Sequence, residues 1–206
     1  MRSETSPSGR SGSFIEAARR AQIVDAAIAA VNKVGYHRAS LARIASLAGI
    51  SKSVITYHFD GKEELLLTVV EHVFGRAGVA IEAAVAAERN PASRLAAYIR
   101  AELVFMRDQR ESMLAAMEIL VSHRDEHDVP LYLKSDDDDT VLLESILSAG
   151  MTEGVFREVD LVVATTTVVH AIDGAITRAQ ADPSTDLVAY GEHLIPLLLG
   201  GLATGS

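Results

Sequence analysis

Hydrophobic residues recur at helical spacing along most of the chain, and no stretch shows the alternation typical of a half-buried strand. The first predicted helix runs from about Ile15 to Val34, and Gly35 ends it. Two short helices are predicted on either side of Gly49, and a longer one follows near Lys62. Further helices are predicted at about 91–109, 110–124, 140–149, 161–181 and 186–199. The pattern therefore predicts an all-α fold.

The residues around Gly49 predict a sharp corner between the two short helices. Glycine adopts the left-handed conformation that ends many helices at no steric cost, and Ser51 follows it as a candidate N-cap. Ser40 is a candidate N-cap for the helix before the corner. Asp60 and Glu63 have the spacing of a capping box, which predicts the start of the longer helix.

The side chains beside this corner divide into an apolar and a polar set. The apolar set can close a small core and consists of Ile44, Ala45, Ala48, Ile50 and Ile55. The polar set is left pointing outward and consists of Lys52, Ser53, Thr56, Tyr57 and His58. These outward groups are hydrogen-bond donors, which phosphates and base edges accept. Residues 40–66 therefore predict a DNA-binding helix-turn-helix.

Several short motifs in this part of the chain match those of a known family. They are Val34-Gly35-Tyr36, Ser40, Ile44-Ala45, Gly49-Ile50-Ser51-Lys52 and the run Tyr57-His58-Phe59-Asp60-Gly61-Lys62-Glu63-Glu64-Leu65-Leu66. Over roughly residues 15 to 75 the chain resembles the DNA-binding domain of the tetracycline-repressor (TetR) family of bacterial transcription regulators. One departure is Thr56, where many members of that family carry a tyrosine that touches phosphate.

The resemblance implies that this segment docks on a double-stranded DNA operator. The DNA contacts that it implies are Ser40, Arg43, Ser51, Lys52, Ser53, Thr56, Tyr57, His58 and Lys62. Phosphate contacts would supply much of the affinity and make it depend on salt. A homodimer is expected, because two recognition helices about one DNA turn apart can read a palindromic site, whereas one short helix gives little affinity.

The resemblance also divides the chain into three parts. Residues 1–13 are expected to form a flexible tail, 14–61 the helix-turn-helix domain and 62–206 a ligand-binding and dimerisation domain. A small apolar or aromatic effector is expected to control DNA binding by changing the tilt of the helix that begins near Lys62. No cofactor is expected.

Methionine and aromatic residues are concentrated in the middle of the chain. Together with a few polar residues they are the candidate effector contacts: Tyr98, Glu102, Phe105, Met106, Met113, Met117, Leu120, Met151, Phe156, Thr166 and His170. Methionines suit a plastic apolar cavity, because unbranched thioethers fill irregular gaps. The same residues at helical spacing also form an ordinary core, and the sequence leaves both interpretations open.

The last two predicted helices resemble the dimer-forming pair of the family. Small residues that let helices approach closely, and leucines that supply apolar area, make up the expected interface: Ala164, Ala171, Gly174, Ala175, Arg178, Leu194, Leu197 and Leu198. Pro196 is expected to bend the second of these helices. The alternative is a monomer in which these faces pack internally.

Charge is distributed unevenly along the chain, whose net charge is −9. Residues 10–62 hold eight basic and three acidic residues, a net of +5, and residues 1–9 sum to zero, so residues 63–206 carry −14. A basic end that faces DNA phosphates and an acidic body that faces away fit a DNA-binding protein.

The sequence gives little indication of an enzyme or a metal-binding protein. No phosphate loop, Ser-His-Asp set or carboxylate-pair motif indicates an enzyme, and the absence of cysteine excludes disulfides and Cys-based zinc sites. His123 and His127 have a spacing that, on a helix, either places two imidazoles on one metal or forms an exposed polar helix end. The acidic run Asp136–Asp139 is either a solvated helix cap or a cation site.

The N-terminal residues lack an apolar signal segment and no membrane-length apolar run occurs, so a cytoplasmic protein is expected. The tail is either disordered or carries Arg2 or Arg10 into a minor groove. The alternative function is an all-α protein-interaction module without sequence-specific DNA binding. The sequence does not separate a repressor from an activator.

Overall fold

The computed structural model describes residues 8–133 and 140–204, with side chains from Phe14 onward. The α-helices within these residues are α1 (Ser8–Val34), α2 (Leu41–Ala48), α3 (Lys52–His58), α4 (Lys62–Ala86), α5 (Pro91–Asp108), α6 (Arg110–Ser122), α7 (Val141–Thr152), α8 (Leu161–Ala181) and α9 (Leu187–Leu202). Single turns of 3-10 helix occur at Tyr36–Arg38 and Leu131–Leu133. Extended pairing in this part of the chain is limited to two isolated bridges. The predicted all-α fold is confirmed.

Several helix ends differ from the prediction. α1 begins at Ser8 rather than near Ile15 and so takes in part of the predicted tail, while α9 continues to Leu202. α6 ends at Ser122, before the predicted end near Arg124. An apolar stripe marks the buried face of a helix, whereas the helix ends depend on caps and packing, which periodicity does not report.

The helical arrangement considered for a metal site is wrong. Because α6 ends before His123, this residue and His127 do not share a helical face. His123 is buried and His127 is exposed. Among the described residues, no group of three or more His, Cys, Asp or Glu side chains is placed to hold a metal ion. Arg2, the side chain of Arg10 and the run Asp136–Asp139 lie outside the described residues.

Residues up to Val73, together with Glu111–Leu133, form one compact unit. This unit contains α1 to α3, the first part of α4, and α6. Its core includes side chains that are almost inaccessible to solvent, namely Ile23, Ala27, Val31, Ile44, Ile55, Phe59, Leu65 and Leu66. Burying a large aliphatic or aromatic side chain stabilises a fold by about 1.5–3 kcal/mol. This core therefore fixes the corner formed by α2 and α3 on a stable base.

Residues Phe74–Arg110 and Lys134–Ser206 form the second compact unit. Within it, α5 packs against α7, α8 and α9, and α8 packs against α7 and α9. Gly191 of α9 allows Leu103 of α5 to come close, since a Cβ atom at position 191 would lie 2.8 Å from Leu103 Cδ1. The N-caps of α5, α8 and α9 accept backbone N–H groups and are Asn90, Asp160 and Asp186.

The two compact units divide the chain differently from the predicted functional domains. α4 belongs to both units, and α6 belongs with the helix-turn-helix. The functional boundary between residues 61 and 62 stays a prediction. Within the described ranges, no helix combines the length and the apolar character needed to cross a bilayer.

Candidate nucleic-acid interface

The corner between α2 and α3 has the geometry that its residues predict. Gly49 adopts φ 67° and ψ 30°, the left-handed conformation. The next N–H group, that of Ile50, donates to the Ala45 carbonyl at 3.0 Å. Ser40 caps α2, where its Oγ accepts the Arg43 N–H at 3.3 Å. Of the predicted inner residues, the buried ones are Ile44, Ala45 and Ile55, and the half-buried ones are Ala48 and Ile50.

Most of the predicted DNA-contacting side chains lie on the exposed side of α2, α3 and their N-caps. The exposed ones are Ser40, Arg43, Ser51, Lys52, Ser53, Thr56 and Tyr57. Tyr57 is 79% exposed, although its ring meets the His58 ring edge to face at 5.0 Å. A phenol and an ammonium group so exposed on one short helix are available to phosphates and base edges.

The hydroxyl groups on α3 are engaged locally. Ser51 Oγ lies 2.7 Å from Ser53 Oγ and forms no cap bond to a backbone N–H. Ser51 therefore occupies the N-cap position without the predicted side-chain cap. Thr56 Oγ1 donates to the Ser53 carbonyl at 3.2 Å. Because hydroxyl groups rotate and keep further lone pairs, such local bonds do not prevent contact with another donor or acceptor.

The other two predicted contacts, His58 and Lys62, are half-buried. Lys62 Nζ donates to the carbonyls of Tyr36 at 2.7 Å and His37 at 3.3 Å, and it lies 4.6 Å from the centre of the Tyr36 ring. Burial lowers the pKa of Lys62. The Nδ1 atom of His58 is buried without a hydrogen-bond partner. Lys62 thus binds the protein's own backbone here, and its contact with phosphate stays a prediction.

Two side chains of α1 that sequence reasoning missed hold the ends of α2 and α3. Arg20 Nη1 donates to the His58 carbonyl, its guanidinium lies 4.2 Å from the centre of the Phe59 ring, and its Nη2 lies 3.9 Å from Glu64. Gln22 Nε2 donates to the last carbonyl of α2 at 2.8 Å. The final carbonyls of a helix have no partner within that helix. Their need for donors was the signal that could have pointed to Arg20 and Gln22. From the sequence alone, Arg20 was interpreted only as part of the basic charge of residues 10–62.

The cap of α4 also differs from the prediction. The Asp60 N–H donates to Glu64 Oε2 at 2.5 Å, whereas Glu63 was the expected partner. Because α4 begins at Lys62, Glu64 is its third residue, the position from which an acidic side chain reaches back. Instead, Oε1 of Glu63 lies 3.4 Å from Nε2 of His123.

The candidate effector contacts are distributed over both compact units. The first unit holds Met113, Met117 and Leu120, and the second holds Tyr98, Glu102, Phe105, Met106, Met151, Phe156, Thr166 and His170. The buried ones are Tyr98, Met106, Met113 and Phe156, and the exposed ones are Thr166 and His170. Burial, and then the charge of Asp173, raise the pKa of the Glu102 carboxyl to about 7. A pocket shared by these residues stays a prediction.

The residues expected at a dimer interface differ in exposure. Ala164, Ala175 and Leu194 are buried within the chain, Ala171, Gly174 and Leu198 are half-buried, and Arg178 and Leu197 are exposed. Val162 and Val163 of α8, which the prediction did not include, are 71% and 63% exposed. A residue that is buried within its own chain adds little area to a contact with a partner. The exposed apolar residues of α8 and α9 are therefore the better candidates.

A model of the family described as bacterial regulatory proteins, tetR family, matches residues 23–69. This range runs from the buried part of α1 through α2 and α3 into α4. It therefore contains both helices of the corner and all of the exposed donors described above.

Curated relatives match part of the chain. The HTH-type transcriptional regulator BetI of Serratia proteamaculans is 40% identical over 83 residues, which cover 39% of this chain and 42% of that protein. The BetI regulator of Pectobacterium carotovorum is 32% identical over 102 residues, which cover 48% of this chain and 50% of that protein. The chain thus spans half or less of the length of these relatives.

Solved structures extend the similarity in fold. The fatty acid degradation regulator FadR from Bacillus halodurans is 26% identical, with a TM-score of 0.77, and the match covers 88% of this chain and 98% of that one. The regulator FadR from Bacillus subtilis, in complex with stearoyl-CoA, is 23% identical, with the same TM-score of 0.77 and the same coverage of 88% and 98%. The second match shows the fold alone.

Proposed function

We propose that the chain, whose residues 23–69 match the tetR family of bacterial regulatory proteins, is a ligand-responsive DNA-binding transcriptional regulator. As a repressor it binds a palindromic operator as a homodimer, and a small apolar or aromatic effector releases it. Such a protein acts in the cytoplasm, where bacterial DNA lies, and is not an enzyme. The observation that carries the proposal is the set of exposed donors on α2 and α3, arranged around the Gly49 corner.

In this proposal α3 is the recognition helix. It has seven residues and is therefore about 10 Å long. An α-helix fits the major groove of B-DNA, and Lys52, Ser53 and Tyr57 offer donors to its base edges and phosphates. So short a helix makes few contacts, which is why the proposal includes a second copy of the chain.

The proposed dimer face runs through the exposed apolar residues of α8 and α9. Val162, Val163 and Leu197 are each more than 60% exposed. Large apolar side chains so exposed are candidates for contact with a partner. Two copies related by a two-fold axis would place two recognition helices against the two halves of a palindromic site.

The proposed effector binds the second compact unit. Buried Tyr98, Met106 and Phe156 offer the apolar and aromatic surface that such a ligand needs. The name of the Bacillus halodurans neighbour, a fatty acid degradation regulator, accords with an apolar effector. Release requires that the effector binds the DNA-free arrangement more tightly than the DNA-bound one.

Mobility shift with a duplex selected from a randomised library tests the DNA-binding half of this proposal. The double variant Lys52→Ala, Tyr57→Ala is expected to bind the selected duplex at least about tenfold more weakly. The slope of log affinity against log salt is expected to fall by about 1 for each phosphate contact that is lost. Because the side chains of Lys52 and Tyr57 are exposed, replacing them removes donors without disturbing the core.

Lys33→Ala is the matched control, since it removes the same charge from an exposed position of α1. It is expected to leave the salt slope unchanged. Undiminished binding by the double variant would contradict the proposed interface. If no duplex is enriched and heparin does not retain the protein, an interaction module is the better description.

A further inference from the structure

Tyr36, in the 3-10 turn between α1 and α2, is held by side chains from two other helices. Its N–H donates to Glu118 Oε1 of α6 at 2.6 Å, and its hydroxyl lies 2.8 Å from Nδ1 of His123, which follows α6. Lys62 of α4 donates to its carbonyl at 2.7 Å. His123 Nε2 lies 3.4 Å from Oε1 of Glu63 in the first turn of α4. We call these five residues the Tyr36 junction.

His123 is a buried imidazole with a phenol on one side and a carboxylate on the other. His123 is only 5% exposed, and both of its ring nitrogens face a partner. A neutral imidazole that carries its proton on Nε2, the nitrogen nearer the Glu63 carboxylate, leaves Nδ1 free to accept the Tyr36 hydroxyl. Burial, and then the charge of Glu63, raise the pKa of Tyr36, so the phenol keeps the proton that it donates.

Gly35 provides the space in which Glu118 reaches the junction. Its φ is +81°, and a Cβ atom at this position would lie 3.1 Å from Glu118 Oε1. The carboxylate therefore approaches the Tyr36 N–H directly. A hydrogen bond to an ionised acceptor is roughly twice as strong as one between neutral groups.

These contacts connect α6 with the end of α3. α3 ends at His58, and only residues 59–61 separate it from α4. Because Lys62 and Glu63 form the first turn of α4, the contacts that hold them also restrain the end of α3. Arg20 anchors this end from α1 by donating to the His58 carbonyl. α6 is thus linked to α3 by directional bonds and a very short stretch of chain.

We propose that Glu118 and His123 are positioning residues for DNA binding, which set the placement of α3 through Tyr36 and Glu63. The proposal rests on the proposed function of α3 as the recognition helix. Directional bonds weaken steeply when their partners move, whereas apolar contacts tolerate sliding. Removing one of these bonds therefore loosens the placement of α3.

Glu118→Met tests the α6 side of the junction, because it removes the acceptor and keeps an unbranched side chain of similar length. Glu111→Met is the matched control, since it removes the same charge from an exposed side chain of α6. On electrostatic grounds alone, both changes would tighten binding to DNA. The positioning role instead predicts that Glu118→Met weakens binding to the selected duplex about fivefold. Its salt slope stays unchanged because no phosphate contact is lost.

Two further variants test the bond between the phenol and the imidazole. Tyr36→Phe removes only the hydroxyl, and His123→Leu removes both ring nitrogens, with His127→Leu as the exposed control. Each junction variant is expected to weaken DNA binding about fivefold. The double variant Tyr36→Phe, His123→Leu is expected to bind DNA no more weakly than the single variant with the lower affinity, because each single change already removes the bond between the phenol and the imidazole. Glu118→Gln, which keeps an acceptor for Tyr36, is expected to recover most of the affinity.

Circular dichroism separates positioning from loss of fold, since each affinity is measured at a temperature at which every variant is folded. Lys52→Ala in the same series reports on the DNA interface itself. If Lys52→Ala weakens binding while Glu118→Met and His123→Leu bind like the wild type, the positioning role is overturned and the proposed function stands. Tighter binding by both Glu118→Met and Glu111→Met would also overturn the positioning role. If the wild type binds no duplex, the proposed function and this inference fall together.

Discussion

At the scale of single residues, Glu102 shows how a buried acid makes stability depend on pH. Burial first, and the charge of Asp173 second, raise its pKa from 4.5 to about 7, although the residue as a whole is only partly buried. Between these pH values the folded chain retains a proton that the unfolded chain has released. The free energy of unfolding therefore falls as the pH rises through this window, and the full loss above it is on the order of 3 kcal/mol.

Glu102→Gln is expected to remove this dependence, because a neutral amide has no charge to bury. At pH 8 the variant is expected to be more stable than the wild type by up to about 3 kcal/mol, and at pH 4.5 the two are expected to differ little. Urea unfolding at both pH values measures the difference. Glu158→Gln, at an exposed position, is the control. An equal effect of Glu102→Gln at both pH values would contradict the raised pKa.

At the scale of elements, α3 depends on residues that lie outside it. With seven residues it is too short to be stable alone in water. The left-handed Gly49 sets its direction, and Arg20 binds its last carbonyl and stacks on Phe59. Sequence patterns around Gly49 predicted the corner because its requirements are local. The clamp from Arg20 could not be predicted in the same way, because the two partners are far apart in the chain.

Arg20→Lys separates the geometry of this clamp from its charge. The ammonium group keeps the positive charge but lacks the planar fork that bonds the carbonyl and stacks on the ring. We expect a loss of unfolding free energy of about 1 kcal/mol and weaker binding to the selected duplex, with an unchanged salt slope. Arg76→Lys is the matched control, since it makes the same change at an exposed position of α4. Wild-type affinity in Arg20→Lys would rule out the clamp as a support for α3.

At the scale of the whole molecule, exposure separates residues that build the chain's own core from those available to a partner. Leu194 and Leu197 lie three residues apart on α9, yet the first is 9% exposed and the second 73%. Both residues belong to the predicted dimer interface, because helical periodicity alone does not show which side of α9 faces α5 and α8. α5 and α8 pack against α9 and so occupy its inner side.

Leu197→Glu is expected to convert a dimer to monomers in sedimentation experiments and to weaken DNA binding at least about tenfold, because it places a charge in an apolar contact. Leu194→Ala is expected to lower the free energy of unfolding by about 2–4 kcal/mol through the cavity that it leaves. Val79→Glu, at an apolar position of α4 that is 69% exposed, is the control. A Leu197→Glu protein that sediments as a dimer would place the interface elsewhere.

The sequence by itself determined the features that depend on neighbouring residues. Helical periodicity, the left-handed Gly49 and the cap at Ser40 are local requirements, so the all-α fold and the corner were predicted correctly. Only the tertiary structure decided that Lys62 turns toward Tyr36, that α6 joins the helix-turn-helix unit and that Leu194 belongs to the core. These outcomes depend on contacts between distant parts of the chain, and a single sequence carries no local signal for such contacts.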